Sequence, residues 1–123
     1  LRNGFGAVAQ QLFAVGATGQ AMLYASGLSF SHLYHPVRKT NSAAERRLAL
    51  SELAELVEII PVGRPVIEAA LALGFADFED GLQYYAARTV PAIEAIVTRA
   101  PKGFANGTLP VLTPPAALER LGG

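Results

Sequence analysis

Cysteine is absent from this chain of 123 residues, which removes disulfides, thiolate nucleophiles and cysteine-ligated zinc at the outset. Aspartate is nearly absent too: Asp77 and Asp80 are the only two, three positions apart. Charge is scarce, at 16% of residues, and ten basic and ten acidic side chains cancel to a formal net charge of zero. Nothing global therefore advertises a polyanionic partner. No window approaches the roughly 18–20 uninterrupted apolar residues of a membrane span, because Gly16, Gln20, Ser26 and Glu68 interrupt the longest apolar stretches. The first residues, Leu1-Arg2-Asn3-Gly4, have no initiating Met and do not lead from a basic segment into an apolar core as a secretory signal does. They read as the edge of a fragment, and the lack of cysteine is compatible with a cytoplasmic address.

What is present is apolar. Hydrophobic residues make up 51% of the chain and the mean hydropathy is +0.31, a composition that buries a core rather than staying disordered. The length suits a single domain spanning 1–123. The spacing of Phe5, Val8, Ala9, Leu12, Phe13 and Val15 predicts a helix closed by Gly16. Ala21 to Ala25, bounded by Gly19 and Gly27, suits a buried strand, and Ser29 or Ser31 is placed to cap a helix through Leu33 and Val37. Thr40-Asn41-Ser42 reads as a turn and cap before a helix from Ala43 to Leu56.

Val57 to Val62 is β-branched and strand-like, Pro65 to Leu73 a short helix ended by Gly74, and Asp77 the cap of a helix to about Arg88. Ala95 to Thr98 and Leu109 to Leu112 follow as strands, and Thr113-Pro114-Pro115 opens a last helix through Leu121. Helices alternating with strands predict an α/β fold with a mainly parallel sheet. Ligands of such sheets collect at the carboxyl ends of the strands. The loop from Arg99 to Phe104, after the strand ending at Thr98, is one such place, and Ser26 to His32 is the other.

Three of the ten acidic residues fall at Asp77, Glu79 and Asp80. Each has a structural reading: Asp77 caps the helix, and Glu79 and Asp80 complement its dipole. Together they are also where a divalent cation or acid/base chemistry would find carboxylates. His32 and His35 are three apart, but Pro36 disturbs their shared face and no third ligand is near. Arg38, Lys39, Arg46 and Arg47 form a local basic face that is either solvated or turned toward phosphates. Arg99 and Lys102 stand beside the strand-end loop and are better placed for phosphate contact.

Asp77-Phe78-Glu79-Asp80-Gly81-Leu82-Gln83-Tyr84, then Ile96-Val97-Thr98-Arg99-Ala100-Pro101-Lys102-Gly103-Phe104, then Leu109-Pro110-Val111-Leu112-Thr113-Pro114 resembles the carboxyl half of a PIN domain. That family has an acidic helix start, a strand ending in Thr-Arg-Asn or Thr-Arg-Asp, a Lys-Asp-Phe turn and a Pro-Val-Leu-Thr-Pro close. Ser29 to Tyr34 resembles the Ser/Thr-rich helix of its middle region. The resemblance implies a three-layer α/β/α fold and a ribonuclease site whose acidic residues hold Mg²⁺ or Mn²⁺, hard cations that take carboxylate oxygens and waters.

It also implies toxin–antitoxin membership for many bacterial members, hence RNA and a cognate antitoxin as partners. Asp80 falls on the third acidic position, with Asp77 and Glu79 beside it as further candidate metal ligands. Four departures stand out: the Asp-Thr-Asn motif of the first strand does not occur, His32 falls at or near the second acidic position, Ala100 stands where the family has Asn or Asp, and Gly103 where the turn has Asp. The chain is thus expected to lack the first strand and to be weakly active or inactive. A catalytically inactive PIN-fold scaffold that binds RNA or protein is the alternative. Loss of a central strand leaves edges that a homodimer would cover.

Overall fold

The computed structural model describes residues 7–31, 42–104 and 107–122, and the chain divides into two compact units, Leu1–Ile59 and Ile60–Gly123. In the first, helix α1 (Ala7–Ala17) is followed by strand β1 (Leu23–Ser26), a helical stretch at 27–31, helix α2 (Ala43–Leu56) and strand β2 (Val57–Ile60). Strands β1 and β2 pair, and α1 packs against α2.

Ser42 starts α2 by a reciprocal cap. Its hydroxyl accepts from the Glu45 amide at 3.1 Å, and its own amide donates to Glu45 Oε1 at 2.8 Å, so two of the helix's orphan donors are satisfied at once. The Ser42 amide hydrogen bond, and then its hydroxyl, hold the Glu45 carboxyl below its usual pKa. Ala49 and Leu53, one turn apart on α2, are the buried residues of this helix, and Leu53 is only 1% exposed.

Two expectations for this unit need correcting. Gly16 does not close α1 but lies inside it, because the missing side chain makes room for Leu23, whose Cγ would stand 2.9 Å from a Cβ there. Ser29 does not cap the next helix, since residues 27 and 28 are already helical; β1 runs directly into that stretch without the loop a cap would occupy. His32, His35, Pro36, Arg38 and Lys39 lie outside the described residues, as do Leu33 and Val37.

The second unit carries helix α3 (Arg64–Ala72), helix α4 (Phe78–Arg88), strand β3 (Ile96–Val97), a single 3₁₀ turn (Pro101–Phe104), strand β4 (Val111–Leu112) and helix α5 (Pro114–Arg120). Pro65 sits in the first turn of α3, where a missing amide costs nothing. Val66 and Ala70 of α3 are buried, as are Gly81, Leu82, Tyr84, Ala86 and Ala87 of α4. The two helices approach closely at Ala70 and Gly81: a Cβ on Gly81 would lie 3.5 Å from that of Ala70.

Strands β3 and β4 are parallel, with Ile96 opposite Val111 and Val97 opposite Leu112. The Ile96 amide donates to the Pro110 carbonyl and the Thr98 amide to that of Leu112, both at 2.9 Å. Parallel partners need a long connection; here 98–110 supplies it, and among its described residues the regular structure is the 3₁₀ turn. Thr113 caps α5 by accepting from the Ala116 amide at 3.4 Å, with proline in the first turn.

The protein is thus a mixture of helices and short strands, with each segment predicted as helix or strand within the described residues found in that state. Its described strands form two separate pairs. Among the described residues no helix is long and apolar enough to cross a membrane.

Candidate functional site

Asp77 precedes α4 in extended conformation, and its Oδ1 accepts from the Asp80 amide at 3.1 Å. Its carboxylate is therefore engaged as the helix cap expected from sequence. Glu79 and Asp80 follow in the first turn, Glu79 exposed and Asp80 half-buried. There the positive end of the helix dipole favours both negative charges.

The environment of Asp80 comes from the connection between the parallel strands. Its carboxylate lies over Gly103 in the 3₁₀ turn: a Cβ on Gly103 would overlap Oδ2 and stand 3.0 Å from Cγ. The turn is anchored by Phe104, which is buried and has its ring 6.4 Å from that of Phe75. Residues 77–80 and the strand-end loop, nominated separately in the sequence, therefore meet at Asp80 and Gly103. Lys102, adjacent to Gly103, and Arg99, earlier in the same loop, are both exposed. The Ala100 amide donates to Thr98 Oγ1 at 3.1 Å, turning the loop away from β3.

One turn further along α4, Tyr84 meets the far end of the same connection. Its ring lies against Gly107, whose imagined Cβ would be 2.9 Å from Cδ1 and 3.0 Å from Cζ. The Thr108 amide donates to the phenol oxygen at 2.7 Å, and Thr108 Oγ1 is 2.8 Å from it. Arg88, one more turn along, donates through Nη1 to the phenol oxygen at 3.0 Å and to Thr108 Oγ1 at 3.1 Å. With two N–H groups already directed at the phenol oxygen, its own proton goes to Thr108 Oγ1.

The pKa of Tyr84 is the net of opposing effects. Burial is the largest and resists ionisation, since only 2% of the residue is exposed. The Thr108 hydroxyl, the Thr108 amide and the Arg88 guanidinium together outweigh it and bring the phenol down from 10.0 to about 8. A phenolate here would keep both N–H donors and gain the Thr108 hydroxyl as a third, which is why the charged form is favoured.

The sequence nominated Asp77, Glu79, Asp80, Arg99 and Lys102 within this unit. The structure sets Asp80 over the turn that carries Lys102 and Gly103, and Asp77 at the helix cap. Arg38 and Lys39 lie outside the described residues. Among the described residues no group of three or more His, Cys, Asp or Glu side chains is arranged to hold a metal ion. Sequence reasoning missed Arg88 and Thr108. The spacing of four between Asp80, Tyr84 and Arg88, matched by Gly103 and Gly107, was the signal available. Comparison with protein-family models, with curated proteins and with solved structures gives no match.

Proposed function

We propose that this chain is a PIN-like domain of the ribonuclease type, its acidic site centred on Asp80 and incomplete within this chain. The observation that supports the reading is the approach of Asp80 to Gly103: an acidic helix start lies at a loop leaving the carboxyl end of a parallel strand, the place where α/β sheets collect ligands. Exposed Lys102 and Arg99 in that loop supply positive charge for a phosphate backbone.

The residues described here do not suffice as a site for Mg²⁺ or Mn²⁺. Asp77 is engaged as a cap, Ala100 and Gly103 bring no ligand, and no trio of ligating side chains is assembled among the described residues. That observation favours a second reading, a PIN-like scaffold that binds RNA or a protein such as an antitoxin without cutting RNA. Cleavage of a short RNA in the presence of Mn²⁺, compared between the unaltered chain and Asp80→Asn, tests the two readings. Loss of cleavage in the variant supports the nuclease, and binding without cleavage supports the scaffold. Cleavage that survives the substitution removes Asp80 from the chemistry.

A further inference from the structure

We propose that Arg88 is a phosphodiester-binding residue, held by Tyr84 and Thr108 as a rigid contact for a single-stranded nucleic acid running along α4. The inference rests on the reading of Asp80 as part of a site that meets RNA.

Arg88 is exposed, yet its guanidinium is tethered. Nη1 reaches the Tyr84 oxygen at 3.0 Å and Thr108 Oγ1 at 3.1 Å, and the guanidinium carbon lies 5.8 Å from the centre of the Tyr84 ring. Both hydrogen-bond partners are hydroxyls, so neither cancels its charge at neutral pH. Among the described residues no carboxylate pairs with it, whereas Arg64 pairs with Glu68 and Arg120 with Glu94. A guanidinium carries five N–H donors in a planar fork. The two bonds use Nη1 alone, which leaves Nε and Nη2 for a ligand.

Such an arrangement suits phosphate. The fork is oriented before the ligand arrives, so little side-chain entropy is lost on binding, and planar donors match phosphate oxygens. A cation in the last turn is favoured by the helix dipole wherever it points. The dipole does not account for the two tethers, one of which comes from residue 108, on a different segment.

The location adds a second argument. Arg88 is eight residues from Asp80 on α4, about 12 Å of helix rise. Gly103 touches Asp80 and Gly107 touches Tyr84 along that stretch. Lys102 stands at the Asp80 end and Arg88 at the Thr108 end. Lys102, next to Gly103, and Arg88 thus give the stretch an exposed cation toward each end, and separated positive charges of this kind bind successive phosphates.

The test is binding of a short fluorescent single-stranded RNA in EDTA, followed by anisotropy across a salt series. Arg88→Gln is expected to weaken binding about tenfold, the value of one charge-assisted hydrogen-bonded contact. It is also expected to flatten the slope of log K against log salt by about 0.7, one phosphate contact on a single strand. Arg88→Lys keeps the slope. Arg88→Met, which keeps the apolar stem over Tyr84, repeats the loss and serves if the Gln variant does not fold. A purely structural Arg88 would lower the melting temperature and leave the slope unchanged, which overturns the inference while leaving the Asp80 reading to its own cleavage test. Absence of RNA binding by the unaltered chain, or equal competition by polyglutamate, overturns it as well; the Asp80 reading is decided separately, by the Mn²⁺-dependent cleavage assay.

Discussion

Asp80 occupies the space that a side chain at position 103 would need, and Gly103 is what lets its carboxylate approach the turn. The relationship repeats one helical turn later, where Tyr84 fills the corresponding space at Gly107. Two side chains four apart on α4 thus fit two glycines four apart on the strand connection. The helix shapes the loop through contacts that require the absence of side chains on the other partner.

Gly103→Ala should therefore destabilise the protein by about 1–3 kcal/mol, the usual cost of forcing extra atoms into a packed place. Most of that cost should vanish in an Asp80→Ala background, because the overlapping atoms belong to the Asp80 carboxylate. Urea denaturation of both single variants and the double variant closes the cycle. An interaction energy within about 0.3 kcal/mol of zero, as for independent sites, would show that the two residues are not coupled.

Tyr84→Phe keeps the ring packed on Gly107 and removes the oxygen that gathers Thr108 and Arg88. The expected loss is about 1–2 kcal/mol, the value of a partly buried hydrogen-bond group whose partners regain water only in part. Thermal unfolding reads it, and hydrogen exchange at the Thr108 amide should quicken. Unchanged protection of that amide would refute the tether.

The same residue predicts a pH effect of defined sign. The folded phenol ionises near 8 against 10.0 for the free side chain. Below about 8 both states keep the proton and ionisation contributes nothing. As pH rises from about 8 to 10 the folded state releases its proton first, and stability grows. The gap between the two pKa values sets an upper bound of about 3 kcal/mol, which solvent around the exposed Arg88 guanidinium screens downward. The gain is complete above 10 and is lost again as pH falls back through 8. Denaturant titrations across this range should show the rise in the unaltered chain and not in Tyr84→Phe, with tyrosinate absorbance reporting the midpoint.

Local chemistry was legible in the sequence and long-range contact was not. The caps at Ser42, Asp77 and Thr113 were readable because a side chain bonding an amide three residues on needs only neighbouring sequence. The strand segments were readable, β2 from its β-branched run and β1 from an apolar stretch between glycines, although β3 and β4 pair over only two residues each, since the prolines and loops around them end the ladder. The acidic helix start and the loop from Arg99 to Phe104 were each readable as candidate places for a site, but their meeting at Asp80 and Gly103 was not. Arg88 and Thr108 escaped because their bond joins residues twenty apart through a tyrosine that hydropathy alone assigns to the core. Position 103 shows the limit most clearly: the sequence has only a glycine there, and the fold reveals that Asp80 stands in the space a side chain would need.

Asp77 offers a test that separates capping from metal binding. Asp77→Ala should cost about 1 kcal/mol of stability, while Asp77→Asn, an equally good cap, should cost almost none. Melting temperatures of the two variants decide it. Equal destabilisation by both would mean that the charge, not the hydrogen bond to the Asp80 amide, is what Asp77 supplies.

The hydrogen bond between Tyr84 and Thr108 spans 24 positions, and this separation orders the assembly of the second unit. Helices α3 and α4 are neighbours in sequence and close their contact through Ala70 and Gly81 across a short turn, so their pairing involves a small loop and forms early. Residues 101–104 and 107–108 lie outside both strand ladders and are held against α4 by Asp80 at Gly103 and by Tyr84 at Gly107 and Thr108. They should therefore join last and leave first. Amides of α4 should exchange with solvent through global unfolding, while those at 103 and 108 exchange through a cheaper partial opening that lifts the connection and leaves the helical pair intact.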